Sequence, residues 1–98
     1  ASYGIDSRIE PRITEDEAFY LEQVGSSMAA NDRAAAIKAL TDSSLLEGSP
    51  AMLSTLASLQ FEEGKADEAV KHFAAAIEKF PNFRDAHRNL AVVYVQLE

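Results

Sequence analysis

The chain has 98 residues, enough for one small hydrophobic core and too few for a catalytic domain plus a regulatory one. Its hydrophobic share of 47% and charged share of 26% are those of a folded globular chain, which excludes disorder as the default. A net charge of −7 with no lysine- or arginine-rich run argues against a nucleic-acid surface and against docking on anionic lipid.

Residues 1–14 show no clear period and contain Gly4 and Pro11; they read as an extended N-terminal arm. Its Ile5, Ile9 and Ile13, interleaved with Arg8 and Arg12, suit a linker ordered in part by packing on the first helix. The alternative is an interaction element lying in a groove of its own chain or of a neighbouring molecule. From Thr14 on, the chain reads as helix. Seventeen alanines, several in runs such as Ala34-Ala35-Ala36 and Ala74-Ala75-Ala76, favour helix and let neighbouring helices approach closely.

Thr14 followed by Glu17 has the form of a capping box, in which each side chain satisfies the other residue's free amide. A first helix is therefore expected from about Glu15, with Leu21, Val24 and Met28 on one face. Asn31-Asp32 signals a turn and an N-cap. The second helix carries Ala36, Ile37 and Leu40 and fades in residues 41–44. Gly48 stops the chain, Ser49 is the expected next N-cap, and Pro50 fits the first helical turn, where a missing amide costs nothing.

The third helix, near Pro50 to Glu63, places Leu53, Leu56 and Ala57 on one side, and Gly64 suits the left-handed residue that ends it. The fourth, near Asp67 to Phe80, carries Ala69, Val70, Phe73, Ala76 and Ile77 at helical spacing. Pro81 cannot continue it, and Asn82 can cap the fifth, which has Leu90, Val93, Tyr94 and Leu97 at i, i+3, i+4 and i+7. No period-two run is long enough for a strand. The fold class is all-α.

The helices resemble one another. Leu53, Leu56 and Ala57 recur 34 residues later as His87, Leu90 and Ala91, and match Leu21, Val24 and Gly25 32 residues earlier. In the second helix of each pair, residues 36–40 match residues 69–73 at an offset of 33, which implies a first inter-helix turn one residue shorter than the second. A period of 33 to 34 with two helices per unit resembles the tetratricopeptide repeat. Residues 50–83 fit best, with Leu56-Ala57, Gly64, Ala69, Phe73, Ala76 and Pro81 at the family's characteristic positions. The first unit departs, with Gly48 where the proline would lie and Ser43 where an alanine would.

The resemblance implies an α-solenoid of antiparallel helix pairs, a right-handed superhelix of about five helices over residues 15–98. Its units run over about 15–48, 50–83 and 84–98, the last incomplete. It also implies a protein–protein interaction scaffold that binds a peptide or partner helix on the concave face formed by the first helices of each pair. The groove residues carried over are Glu22, Gln23 and Ser26, then Ser54, Thr55, Ser58 and Glu62, then Arg88 and Asn89. The alternative for these positions is the solvated face of amphipathic helices.

Some family members clamp a C-terminal carboxylate with lysine, arginine and asparagine. Here only Arg88 and Asn89 suit, so binding of acidic tails is not expected. The incomplete last unit leaves an apolar helix face uncovered, which is unfavourable. The chain is therefore expected to be a piece of a longer array that can dimerise through its C-terminal helix. A structural spacer without a separate ligand is the competing reading.

No chemistry of another kind is expected. The absence of cysteine excludes disulfides and thiolate metal sites, and no apolar stretch approaches the ~20 residues that span a bilayer. His72 is expected in solvent and His87 in packing, on different helices, so neither forms a metal site. There is no phosphate loop and no nucleophile with a nearby base, so neither an enzyme nor a cofactor is expected.

Overall fold

A computed structural model describes residues 9–97; of the arm residues singled out above, Ile5 and Arg8 lie outside it. Among the described residues there are five α-helices and no strand: α1 (Glu15–Ala29), α2 (Arg33–Thr41), α3 (Pro50–Glu62), α4 (Ala66–Lys79) and α5 (Arg84–Leu97). A short 3₁₀ turn, Leu46–Gly48, lies between α2 and α3. The molecule measures 45 × 37 × 21 Å, and its short dimension matches two helix layers of about 10 Å each. The all-α helical-repeat fold is the one the sequence implies.

Each helix begins where local chemistry supplies a partner for its free amides. At α1 the capping box is complete: the Glu17 amide donates to Thr14 Oγ1 at 3.1 Å and the Thr14 amide to Glu17 Oε1 at 3.2 Å. Asp32 caps α2 by accepting from the Ala35 amide at 3.0 Å. Ser49 caps α3 by accepting from the Met52 amide at 3.1 Å, with Pro50 in the first turn. α4 begins after Lys65 with no side-chain cap. It ends at Phe80, held extended as the residue before Pro81 must be.

The two turns within the pairs are copies of one another. Asn31 and Gly64 both take the left-handed conformation, at φ 63 and 83. Three amide bonds close each turn in the same order: Ala30 to Ser26, Asn31 to Met28 and Asp32 to Ser27 in the first, Glu63 to Leu59, Gly64 to Phe61 and Lys65 to Gln60 in the second. All six residues on one side map onto the other at an offset of 33. The first turn is therefore not shorter than the second, which corrects the offset of 32 read from the apolar residues of α1.

Left-handed backbone costs an ordinary L-residue about 1–2 kcal/mol, while glycine avoids that cost and asparagine is tolerated. Gly64→Ala should therefore lose about 1–2 kcal/mol in urea unfolding, and Asn31→Gly should lose nothing. A neutral Gly64→Ala would mean that the turn relaxes into another conformation.

The core follows from the alanines. Ala36, Ala57, Ala69, Ala76 and Ala86 are fully buried, each where a larger side chain would hold two helices apart. Leu40, Met52, Leu53, Leu56, Phe73 and Val93 fill the spaces between them. The central helix is α3, with seven of its thirteen residues buried, because α2 and α4 pack on it and α5 also touches it. Leu46 of the 3₁₀ turn joins the same core. Of the fifth helix's apolar set only Val93 is buried, and Leu90 is half-buried.

One polar bridge crosses between the helix pairs. The Ser49 hydroxyl, 1% exposed, donates to Glu17 Oε2 while it caps α3. A carboxylate that completes the cap of α1 is thereby tied to the residue that caps α3.

Both histidines sit differently from the expectation. His72 is half-buried, and its Nδ1–H donates to Oε1 of buried Gln60 at 2.7 Å and to the Glu68 carbonyl at 3.1 Å. A buried amide oxygen needs a donor, and the α3–α4 contact places His72 to supply one. His87 is exposed and ties its Nε2 to the Pro81 carbonyl at 2.7 Å, so it closes the α4–α5 turn and does not pack in the core.

Candidate functional site

The first helices of the pairs flank a groove. Its larger part, about 460 Å³, has Ala51, Ser54, Thr55 and Ser58 of α3 along one wall and Asp85 and Asn89 of α5 along the other. Phe83 and Leu21 supply apolar surface, and Glu10, Pro11 and Ile13 of the arm close one end. A second depression of about 280 Å³ shares Ser58 and Asn89 with the first. It continues along the same two helices to Phe61, Glu62, Phe73 and Val92.

The α3 wall is made by spacing. Ala51, Ser54, Thr55, Ser58 and Glu62 recur at three- and four-residue steps, so one stripe of the helix faces the groove. The stripe is small and polar, which leaves room beside α3 while its other faces are buried. Ser54 is itself buried, at 7% exposure, and forms part of the floor. Thr55 returns its hydroxyl to the Ala51 carbonyl at 2.8 Å, which leaves its methyl as the surface it offers.

Charge is distributed sparingly. Arg88 is exposed and paired with Asp85 at 2.9 Å, and Arg33 approaches Glu62 to 3.7 Å. The carboxylates of Asp85 and Glu62 therefore meet the nearest guanidinium groups, and no strong single-sign field crosses the groove. Asn89, half-buried between the two depressions, offers an amide with both donors and an acceptor.

Of the nine residues predicted to form the groove, the structure gathers five along it: Ser54, Thr55, Ser58, Glu62 and Asn89. Glu22, Gln23, Ser26 and Arg88 are exposed and line neither depression. The offset explains the three on α1. At 33 residues the counterpart of Ser54 is Leu21, which does line the groove, and Glu22, Gln23 and Ser26 are turned off it. Comparing the turn residues Asn31 and Gly64, instead of the apolar ones, would have found this. Asp85 and Phe83 carry no sequence signal of their own; the arm's contribution is tertiary.

A larger depression of about 650 Å³ lies at the α3–α4 turn, bounded by Ile37 and Thr41 of α2 and Leu97 of α5. None of the nine residues lines it. Among the described residues no three histidine, aspartate or glutamate side chains converge on a point where a metal could sit. No described helix is long and apolar enough to cross a membrane.

The family model of the tetratricopeptide repeat matches residues 60–98. This segment is a tetratricopeptide repeat. The match begins in the last turn of α3 and takes in α4 and α5, so the repeat includes the α5 wall of the groove and Phe73 beneath its second part. Tetratricopeptide repeats generally mediate protein–protein interaction, and a protein partner is the class of ligand the family indicates. No curated protein and no solved structure matches the chain significantly.

Proposed function

We propose that this protein is an interaction scaffold that takes a peptide or partner helix along the concave face, in the groove between α3 and α5, and that it is not an enzyme. The observation that carries this reading is the continuity of the two depressions through Ser58 and Asn89. A rigid wall of packed helices beside a narrow open channel binds without having to order itself first, which preserves binding energy. Units over about 15–48, 50–83 and 84–98, within a longer array, belong to the same reading.

Selection of a random peptide library on the full chain tests it. Selected peptides should shift the amide resonances of Thr55, Ser58 and Asn89. Ser58→Trp, which fills the point where the two depressions meet, should weaken them at least about tenfold, or 1.4 kcal/mol. Peptides that bind with full strength to Ser58→Trp would move the site elsewhere.

A second reading rests on the outer face of α5. Val92, Tyr94, Val95 and Leu97 are 48 to 65% exposed and make an apolar face that a further helix or a second copy would cover. On that reading the array is a spacer or self-association element. A mass that rises with concentration in sedimentation, and falls back to monomer on Val95→Lys, would favour it.

A further inference from the structure

We propose that residues 9–13 of the arm are a resident occupant of the groove, and that the external ligand is an extended, proline-containing aliphatic peptide that replaces them. This deepens the reading above and rests on it. Glu10, Pro11 and Ile13 line the larger depression together with Ser54, Thr55, Ser58 and Asn89, so the arm lies against the predicted binding face. It is anchored at its far end by main chain: the Arg84 amide donates to the Ile9 carbonyl at 3.1 Å. Arg84 is the first residue of α5, and its amide is one of those a helix leaves without an internal partner. The arm thus spans from the cap of α1 to the start of α5.

The arm's own chemistry explains why it can lie there. Pro11 has no amide to satisfy and fixes its backbone, and it holds Glu10 away from helical conformation. Thr14 is extended, at φ −82 and ψ 169, so the chain leaves α1 already straight. Ile13 is 49% exposed and Ile9 40% exposed, so the contact is partial and can be exchanged. Glu10 and Arg12 balance in charge, in keeping with a groove whose own acids meet guanidinium groups. A ligand of the same type, extended and close to neutral, would reproduce these contacts. A tethered segment competes at an effective concentration in the millimolar range, so weak contacts suffice to occupy the site.

The test uses the full chain and the acetylated, amidated pentapeptide Ile-Glu-Pro-Arg-Ile. Wild type is compared with Pro11→Gly/Ile13→Asp, which removes the arm's fit and leaves the groove's helices unchanged; an unaltered helical circular dichroism signal checks the fold. If the arm occupies the groove nine-tenths of the time, the variant should bind the pentapeptide about tenfold more tightly, with shifts at Thr55, Ser58 and Asn89. Equal affinity at those residues in both chains would overturn the resident arm and leave the groove reading standing. No shift in the variant at millimolar pentapeptide would also overturn it, and the library selection then decides the groove separately.

A second measurement does not depend on the double variant. The chain has no cysteine, so Arg88→Cys accepts a single nitroxide at the rim of the groove. Amides of residues 9, 10, 12 and 13 should lose most of their intensity through paramagnetic relaxation, and adding a selected peptide should restore it. Undiminished arm signals before any ligand is added would sink the proposal.

Discussion

Phe73→Ala should remove about 3–5 kcal/mol of stability, the largest loss expected from any single substitution in this chain. Phe73 is the largest fully buried side chain, at 1% exposure, on the α4 face that packs against α3 and α5. The alanines around it, Ala57, Ala69, Ala76 and Ala86, have no side chain able to move into the space. The void should therefore stay open, which puts the cost toward the upper part of that range. A domain of this size has about 5–15 kcal/mol in total, so the loss is a large fraction of it. Urea unfolding followed by helical circular dichroism gives the number.

Two features of that experiment discriminate. Tyr94→Ala, an aromatic of similar size that is 51% exposed, should change stability by no more than about 0.5 kcal/mol. A loss below 1 kcal/mol for Phe73→Ala would mean that α4 does not close the core as described. The loss should also spread to both neighbours of α4, since helical arrays are stabilised through nearest-neighbour interfaces. Hydrogen exchange at amides of α3 and α5 should accelerate together with that of α4.

Ser49→Ala is the second large effect, at about 2 kcal/mol. The loss of an N-cap alone is worth about 1 kcal/mol. Ser49 also donates to the Glu17 carboxylate, and a hydrogen bond to a charged group contributes about 1.5–3 kcal/mol where it is well buried. Glu17 is only half-buried, which brings that second contribution down. The cycle of Ser49→Ala, Glu17→Ala and the double variant isolates it. Coupling near 1 kcal/mol is expected; additivity within about 0.3 kcal/mol would mean that the bridge between the first two helix pairs contributes nothing.

The two effects act at different ranges. Phe73 holds α3, α4 and α5 together, and those elements include the matched repeat and the α5 wall of the groove. Ser49 ties the start of α1 to the start of α3, and the start of α1 is also where the arm departs. Ser49→Ala should therefore loosen the arm as well as destabilise the fold, whereas Gly64→Ala, at the far turn, should leave the arm's resonances unchanged.

What the sequence determined by itself was the set of helix boundaries and the repeat. Thr14 with Glu17, Asp32, Ser49 with Pro50, and Gly64 act on amides within a few residues of themselves, so their meaning does not depend on the rest of the fold. The buried alanines and Phe73 were legible for a similar reason, since their spacing selects one helix face. Which side chains border the groove was decided only in three dimensions. A one-residue error in register rotates a helix face by about 100°, enough to exchange Leu21 for Glu22 as the groove residue of α1. His72 and His87 were misplaced because their partners, Gln60 and the Pro81 carbonyl, lie on other elements or across a turn. The arm shows the same limit: its backbone bond joins Ile9 to Arg84, and no local pattern at either residue records a contact made across the molecule.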